Sequence, residues 1–528
     1  MLHLSDLTLE EKIGQMVMCG FQGKVPSEGI RRMIHEQRIG GVIYFSRNVE
    51  SPKQVHQLSY ELQEYARENN GIPLFIGIDQ EGGMVARITD GITLMPGNMA
   101  LGAVGDVQDV QRASEISGIE LRALGINMNF APSVDINNNP NNPVIGVRSF
   151  GDDPIQVSEL GIAAVRGYQK ADISAAVKHF PGHGDTADDS HFALPQIPHG
   201  RERVREVELV PFKKAIDHGV DMVMTAHIVF PAFDESGNPG TLSSNVVRGL
   251  LRNELGYKGV VITDCLEMDA VSETFGTEKA AVMAIEAGAD IALVSHREDR
   301  QIGAIREIMN AVKNGRISEK RIDESVGRIL ELKKRRNLEG DSVSWEEAKE
   351  TIFLKENRDF VQKLSEKSIT VVKDENEQIP LDRSKRTFVI CPELQALNAA
   401  DESVDQGESL GDFLSEMMDA VTERKIHADP TEEEIERVLY ESDSFDQVVV
   451  VTYNSSIFRK QVDLVRDLLV RRRDSLVAVA IRNPFDFLEF PEVPVQVAAY
   501  ESRPLALKST AKVLTGSIQA HGKLPVRL

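Results

Sequence analysis

Short apolar, β-branched runs alternate with longer stretches of helical periodicity through residue 335. The runs at 14–20, 41–45, 74–78, 126–130, 175–178, 221–225, 259–263 and 290–294 read as strands. They are nearly continuous apolar segments rather than alternating ones, which suits strands buried on both faces. Between them, 52–69, 108–124, 154–171, 202–218, 244–255 and 277–287 read as helices. Repeated βα units predict an α/β fold, a (β/α)8 TIM-type barrel, with a doubly wound open sheet as the alternative. No sequence repeat of fixed period accompanies the repeat of structure.

A helix starting at an N-cap Ser318 follows, with Ile322, Val326, Ile329 and Leu330 as its apolar stripe. Its last turn carries Lys333, Lys334, Arg335 and Arg336. Cations there suit the negative end of the helix dipole and read as a solvated helix end. The polar stretch 337–344 reads as linker, and alternation restarts at 369–372, 387–391, 447–452, 476–481 and 496–499. The expected organisation is therefore a barrel over 1–336, a linker over 337–351 and a smaller α/β sandwich domain over 352–528. The acidic stretch 401–408 reads as a surface loop.

Barrel enzymes carry their chemistry at the C-terminal ends of the strands. Polar residues converge there from at least five of the expected strands. Asp79, Glu81 and Arg87 follow the third strand, and Ser133 and Asp135 the fourth. The fifth runs into Lys178, His179, His183, Asp185, Asp188, Asp189 and His191; the sixth ends at His227 and the seventh at Asp264. A carboxylate in the position of Asp264 either caps the next helix or attacks a sugar carbon to form a covalent intermediate. Asp189, two residues before His191, could hold that imidazole in one tautomer and stabilise its protonated form. Histidine titrates near neutrality, so it can give and recover a proton. A metal site built from His183, Asp185, Asp189 and His191 is the competing use of the same residues. A phosphate cradle is disfavoured because no Gly-Lys-Ser/Thr ending follows the glycines.

Composition narrows the field further. Hydrophobic residues make up 41% of the 528 and charged ones 27%, ordinary globular usage that needs no disulfide or metal to hold a core. Against 60 Lys and Arg stand 82 Asp and Glu, a net charge of −22. Such a surface repels nucleic acid and anionic membrane. Cys19, Cys265 and Cys391 are odd in number and in no metal-ligand spacing, which fits reduced thiols. The opening MLHLSDLTLEEKIGQM has no basic n-region or apolar h-region, and no apolar run approaches a membrane span. These features point to the cytoplasm.

The motifs together resemble family 3 glycoside hydrolases, in their bacterial β-N-acetylglucosaminidase branch. KHFPGHGDTADDSH at 178–191 carries the resemblance most specifically. DQEGGMVAR at 79–87, NFAPSVD at 129–135, RSFG at 148–151 and VITDCLEMD at 261–269 agree in order and spacing, and SITVVKDENEQIPL at 368–381 is similar to that family's second-domain opening. The resemblance implies a retaining exo-hydrolase of terminal β-GlcNAc. Asp264 would be the nucleophile, with Asp189 and His191 as an acid/base dyad in place of a glutamate. Asp79, Arg87, Arg148, Lys178 and His179 would bind the sugar hydroxyls, and Met268 would line the pocket. It implies no metal and no cofactor. The partner would be a small GlcNAc-containing saccharide, from peptidoglycan (GlcNAc–MurNAc fragments, with or without peptide) or from chitooligosaccharides. Oligomeric state is left open, with a monomer admissible. Two positions depart from many relatives: Val147 where glutamate is expected, and Met84 where arginine is common.

Three other readings compete. A phosphorylase could use the same residues, since histidine, unlike a carboxylate, does not repel an incoming phosphate. A β-glucosidase or β-xylosidase is opposed by the complete DSH-containing loop. A non-catalytic saccharide binder would have no need of Asp264, Asp189 and His191 together.

Overall fold

The computed structural model describes residues 3–187, 194–340, 343–375, 377–396 and 407–528. Among them, eight strands form one parallel sheet: β1 (Val17–Cys19), β2 (Gly41–Tyr44), β3 (Phe75–Ile78), β4 (Met128–Asn129), β5 (Ser174–Phe180), β6 (Met222–Thr225), β7 (Val260–Thr263) and β8 (Ala292–Val294). Their order is β7-β6-β5-β4-β3-β2-β1-β8. A parallel bridge between Ile262 and Ile291 joins the two edges, so the sheet closes into a barrel rather than staying open. All residues of these strands are buried, as their continuous apolar character requires.

Two helical expectations change in detail. The single helix expected over 202–218 is two, Arg201–Glu206 and Leu209–Asp217, separated at Val207 (φ −125°, ψ −77°). The segment Asn245–Glu254 is wound as a π-helix. The basic end of the helix Glu319–Arg335 is only half the solvated end the sequence suggested: Lys334 and Arg335 are exposed, Lys333 and Arg336 are not. Lys333 is fully buried and donates to Gln15 Oε1 and to the Gly40 carbonyl, both at 2.8 Å. Arg336 is buried too, with Nε 2.6 Å from Asp221 Oδ2. The apolar stripe of this helix thus docks its own cations against the floor of the barrel.

The second sheet contains β9 (Thr370–Asp374), β10 (Thr387–Pro392), β11 (Val421–Ile426), β12 (Gln447–Thr452), β13 (Leu476–Ala480) and β14 (Val495–Ala498), in the order β11-β10-β12-β13-β14-β9. Only β9 pairs antiparallel. Val448 and Val450 belong to one apolar cluster, Val449 and Val451 to another, so both faces of the sheet are covered. The strand β11 was not expected. Its sequence, VTERKI, is mostly polar because it lies at an edge and is only partly buried.

The first of those clusters also contains barrel residues. Met84, Met99, Ala100, Ala103 and Val147 pack with Phe485, Phe487, Tyr500 and Val526. Both departures from the family pattern, Met84 and Val147, therefore lie in an apolar seam between the domains rather than in the cavity described below. Polar ties flank the seam: Arg503 Nε donates to the Gly83 carbonyl at 2.7 Å, and Gly97 N–H donates to Glu501 Oε2 at 3.2 Å. Gly83 has φ 54°, and a Cβ there would lie 2.6 Å from Gly97 Cα. That close approach requires glycine. Residues 523–527 return to the barrel, where Lys523 N–H meets Ala103 O, Asp152 N–H meets Pro525 O, and Arg527 Nε meets Asp152 Oδ2.

Candidate active site

A cavity of about 160 Å³ opens at the C-terminal mouth of the barrel. Asp79, Glu81 and Arg87 reach it from the loop after β3, Arg148 from the loop after β4, Lys178 and His179 from β5, and Asp264 and Met268 from just beyond β7. Seven of the nine residues singled out from the sequence, Asp79, Arg87, Arg148, Lys178, His179, Asp264 and Met268, thus share one cavity. The other two, Asp189 and His191, lie outside the described residues.

One wall is a network of fixed charge. Lys178 Nζ lies 2.8 Å from Asp79 Oδ1 and 2.7 Å from Glu81 Oε1. Arg148 grips Glu81 with both prongs of its fork, at 3.0 and 2.7 Å. Arg87 Nη2 stands 3.6 Å from Asp79 Oδ2. Burial alone would raise the Glu81 carboxyl, but Arg148 and then Lys178 carry it well below the usual carboxylate range. Burial would lower the Lys178 ammonium, yet Asp79 and Glu81 hold it above its ordinary value. These groups are charged, rigid and aimed into the cavity, an arrangement suited to ordering sugar hydroxyls.

The second element is Asp135, fully buried after β4. It accepts from Ser133 Oγ at 3.0 Å and from the backbone N–H of His183 at 2.6 Å, and it lies 2.7 Å from His179 Nδ1. A carboxylate accepting there places the proton of His179 on Nδ1, and Nε2 then faces Arg148 Nη2 at 3.4 Å. Burial opposes the charge of Asp135, but His179 and the His183 N–H lower its pKa to about 2. Burial, then His179, lowers His183 to about 4. His183 turns Nδ1 to Thr186 Oγ1 at 2.8 Å, while Asp185 engages His199 Nε2 at 2.6 Å. Two of the four residues of the alternative metal set are thus engaged with other side chains, and the other two lie outside the described residues.

Asp264 stands immediately after β7. Cys265 N–H donates to its Oδ1 at 2.7 Å, and its own N–H is tied to Thr225 O at 3.2 Å. The following helix begins only at Asp269, with Met268 as its N-cap, so the helix-cap reading of Asp264 does not hold. Beneath it, His227 Nε2 lies 2.9 Å from the Cys265 carbonyl and Nδ1 lies 3.0 Å from Thr241 Oγ1. The backbone that carries Asp264 is therefore tethered from two sides.

Several contributors had no role assigned from sequence. Glu81 sits two residues after Asp79, a spacing that puts both on one side of an extended segment. Asp135 closes the NFAPSVD motif. Both were visible as motif members, but ion pairing across loops leaves no trace in sequence spacing. Phe45, Arg47 and His296, which line the far rim, carried no signal. There the Arg47 guanidinium sits 4.2 Å from the Phe45 ring centre, and the Phe45 and His296 rings are 5.2 Å apart.

Comparison with known proteins agrees with this geometry. Residues 8–332 match the family described as Glycosyl hydrolase family 3 N terminal domain. Beta-hexosaminidase A of Pseudoalteromonas piscicida is 37% identical over 438 residues, covering 75% of this chain and 73% of that protein. The Beta-N-acetylglucosaminidase/beta-glucosidase of Cellulomonas fimi is 29% identical over 485 residues, covering 86% and 84%. The solved structure of a glycoside hydrolase family 3 beta-N-acetylglucosaminidase from Paenibacillus sp. str. FPU-7 superimposes with a TM-score of 0.94 at 50% identity, covering 99% of each chain.

Proposed function

The chain belongs to glycosyl hydrolase family 3 and is a glycoside hydrolase; from that premise we propose that it is a retaining exo-β-N-acetylglucosaminidase. One observation carries the reading. Three carboxylates line the described cavity: Asp79 and Glu81 pair with Lys178, Arg87 and Arg148, and the third, Asp264, is delivered at the mouth of β7 with one oxygen oriented by the Cys265 N–H. A fixed carboxylate facing a clamp of fixed cations suits attack on a sugar held in one orientation.

In this mechanism the non-reducing GlcNAc lies against Asp79, Arg87, Arg148, Lys178 and His179, with Met268 at its edge. Asp264 attacks the anomeric carbon as the glycosidic bond breaks, and His191 protonates the departing oxygen. The product is a glycosyl ester on Asp264. His191 then takes a proton from water, which releases GlcNAc with net retention. Asp189 orients His191. We place the substrate among peptidoglycan fragments or chitooligosaccharides, and the enzyme in peptidoglycan recycling in the cytoplasm. The three cysteines are free and buried, and no helix among the described residues is long and apolar enough to cross a membrane.

The test uses an aryl β-GlcNAc substrate and a 2-fluoro glycoside trap. Asp264→Ala should abolish turnover while retaining sugar binding, and the trap should label Asp264 on peptide mapping. Near-normal turnover by the variant, or a label on another residue, would overturn the proposal.

A further inference from the structure

At the opposite end of β7 and β8 from Asp264 lies a second cleft, of about 450 Å³. Six cations line it: Arg248 and Arg252 on the π-helix, Lys258 in the loop before β7, and Lys320, Arg321 and Arg328 on the helix Glu319–Arg335. Glu324 is the one carboxylate lining it among the described residues. Beneath the cleft the fully buried Asp290 serves three guanidiniums, with Arg252 at 2.5 Å, Arg328 at 2.9 Å and Arg321 at 3.9 Å. Arg248, Lys258 and Lys320 are exposed and make no ion pair among the described residues. A protein of net charge −22 therefore concentrates positive charge in one concavity.

The donors are also held in place. Arg321 is fixed by the Ala289 carbonyl and by Ser325 Oγ, both at 2.6 Å, and Arg252 by the Gly259 carbonyl at 2.6 Å. Ser318, at the cleft edge, is the N-cap of a 17-residue helix, so a helix N-terminus opens on the same space. Burial lowers the Arg321 pKa to about 10; Asp290 acts against this, while Arg248, Arg328 and Arg252 each add repulsion. A bound anion of two or more charges would remove that repulsion. The volume accommodates more than a bare ion and falls within the range of small-metabolite pockets.

We propose that this cleft binds a phosphate group, either as the free ion or carried by a small metabolite. Preorganised guanidiniums match phosphate oxygens bidentately, and Arg248, Lys258 and Lys320 supply charge at the entrance. The site is separate from the catalytic mouth but shares its framework. Asp290 Oδ2 also accepts the Val261 N–H at 2.9 Å, which ties the floor of the cleft to the strand that leads to Asp264.

The test is isothermal titration and thermal melting of the full chain at constant ionic strength. The titrants are glucose 6-phosphate and inorganic phosphate, with sodium chloride as the reference. The wild type should bind one equivalent of a phosphate species and melt higher in its presence. In Arg248→Glu/Lys320→Glu, affinity should fall about tenfold or more, with turnover of the aryl substrate unchanged in the absence of phosphate. If that variant does not fold, Arg248→Gln/Lys320→Gln, which removes charge without reversing it, gives the same comparison. Tighter binding of the ester identifies a metabolite site, and tighter binding of the free ion identifies a phosphate site; either supports an anion cleft here. Undiminished binding in the charge variants, as would follow if phosphate sat at Lys178 and Arg148, overturns the proposal. So does an absence of binding up to ~10 mM.

Discussion

Replacing Glu81 by glutamine tests whether the proposed sugar clamp is a preorganised charge network. The substitution keeps shape and removes one negative charge from a group of two carboxylates and three cations. Lys178 retains Asp79, 2.8 Å away, but Arg148 loses the carboxylate that holds both prongs of its fork. Both cations are buried, so solvent cannot compensate. Leaving a buried ion without its partner costs about 3–5 kcal/mol. The partial cover from Asp79 argues for the lower figure, about 3 kcal/mol, which is roughly a 150-fold change in an equilibrium constant. Against a typical total stability of about 5–15 kcal/mol, such a loss is large. Urea unfolding followed by circular dichroism at pH 7 should show it as a lowered midpoint with unchanged slope. Because Arg148 would lose the carboxylate that fixes it and Lys178 one of its two, kcat/KM on the aryl substrate should fall as well. A loss of stability below about 1 kcal/mol together with unchanged kcat/KM would show that Glu81 is neither holding nor aiming these cations.

Three further outcomes follow from the same physics. Asp135 titrates near 2 in place of its ordinary 3.8, so its contribution of about 2 kcal/mol is complete above pH 4 and lost as pH falls toward 2. The stability gap between wild type and Asp135→Asn should therefore narrow between pH 5 and pH 3, and a constant gap would refute this. Burial raises Glu501 from 4.5 to about 7, so folding disfavours its charged form and stability is lost as pH rises through that interval. Glu501→Gln should consequently be more stable than wild type at pH 8, by up to about 3 kcal/mol, and no gain there would sink the argument. His191→Ala should lose on the order of 10²–10⁴-fold on sugar leaving groups and much less on aryl ones, with free GlcNAc the product in phosphate buffer; equal losses, or GlcNAc-1-phosphate as product, would count against a histidine acid that serves water.

Much of this molecule is legible along the chain because buried parallel strands write themselves as unbroken apolar runs. VVIT before Asp264 and QVVVVT in the second domain are such cases: the first lies within one residue of its expected bounds and the second coincides with them. The edge strand Val421–Ile426 escapes this rule, since one-sided burial lets Glu423, Arg424 and Lys425 into a strand. The site was legible where a motif delivers a residue to a strand mouth, as for Asp79, Lys178 and Asp264. It was not legible where function depends on a partner far along the chain. Glu81 meets Arg148 across 67 positions, and Asp135 meets His179 across 44. The basic turn at Lys333 and Arg336 misled for a related reason: charge suggests solvent unless the chain supplies buried oxygens, here from Gln15, Gly40 and Asp221.

The return of residues 523–527 to the barrel has a consequence in time as well as space. Asp152 closes the loop that carries Arg148, and it is fastened by Pro525 and Arg527, with 375 positions separating Asp152 from Arg527. On the ribosome, the barrel strands can emerge and pair long before that fastening exists. The far end of the loop bearing Arg148 gains its Pro525 and Arg527 contacts only once the whole second sheet has been translated, whereas the pairing of Arg148 with Glu81 needs the barrel alone.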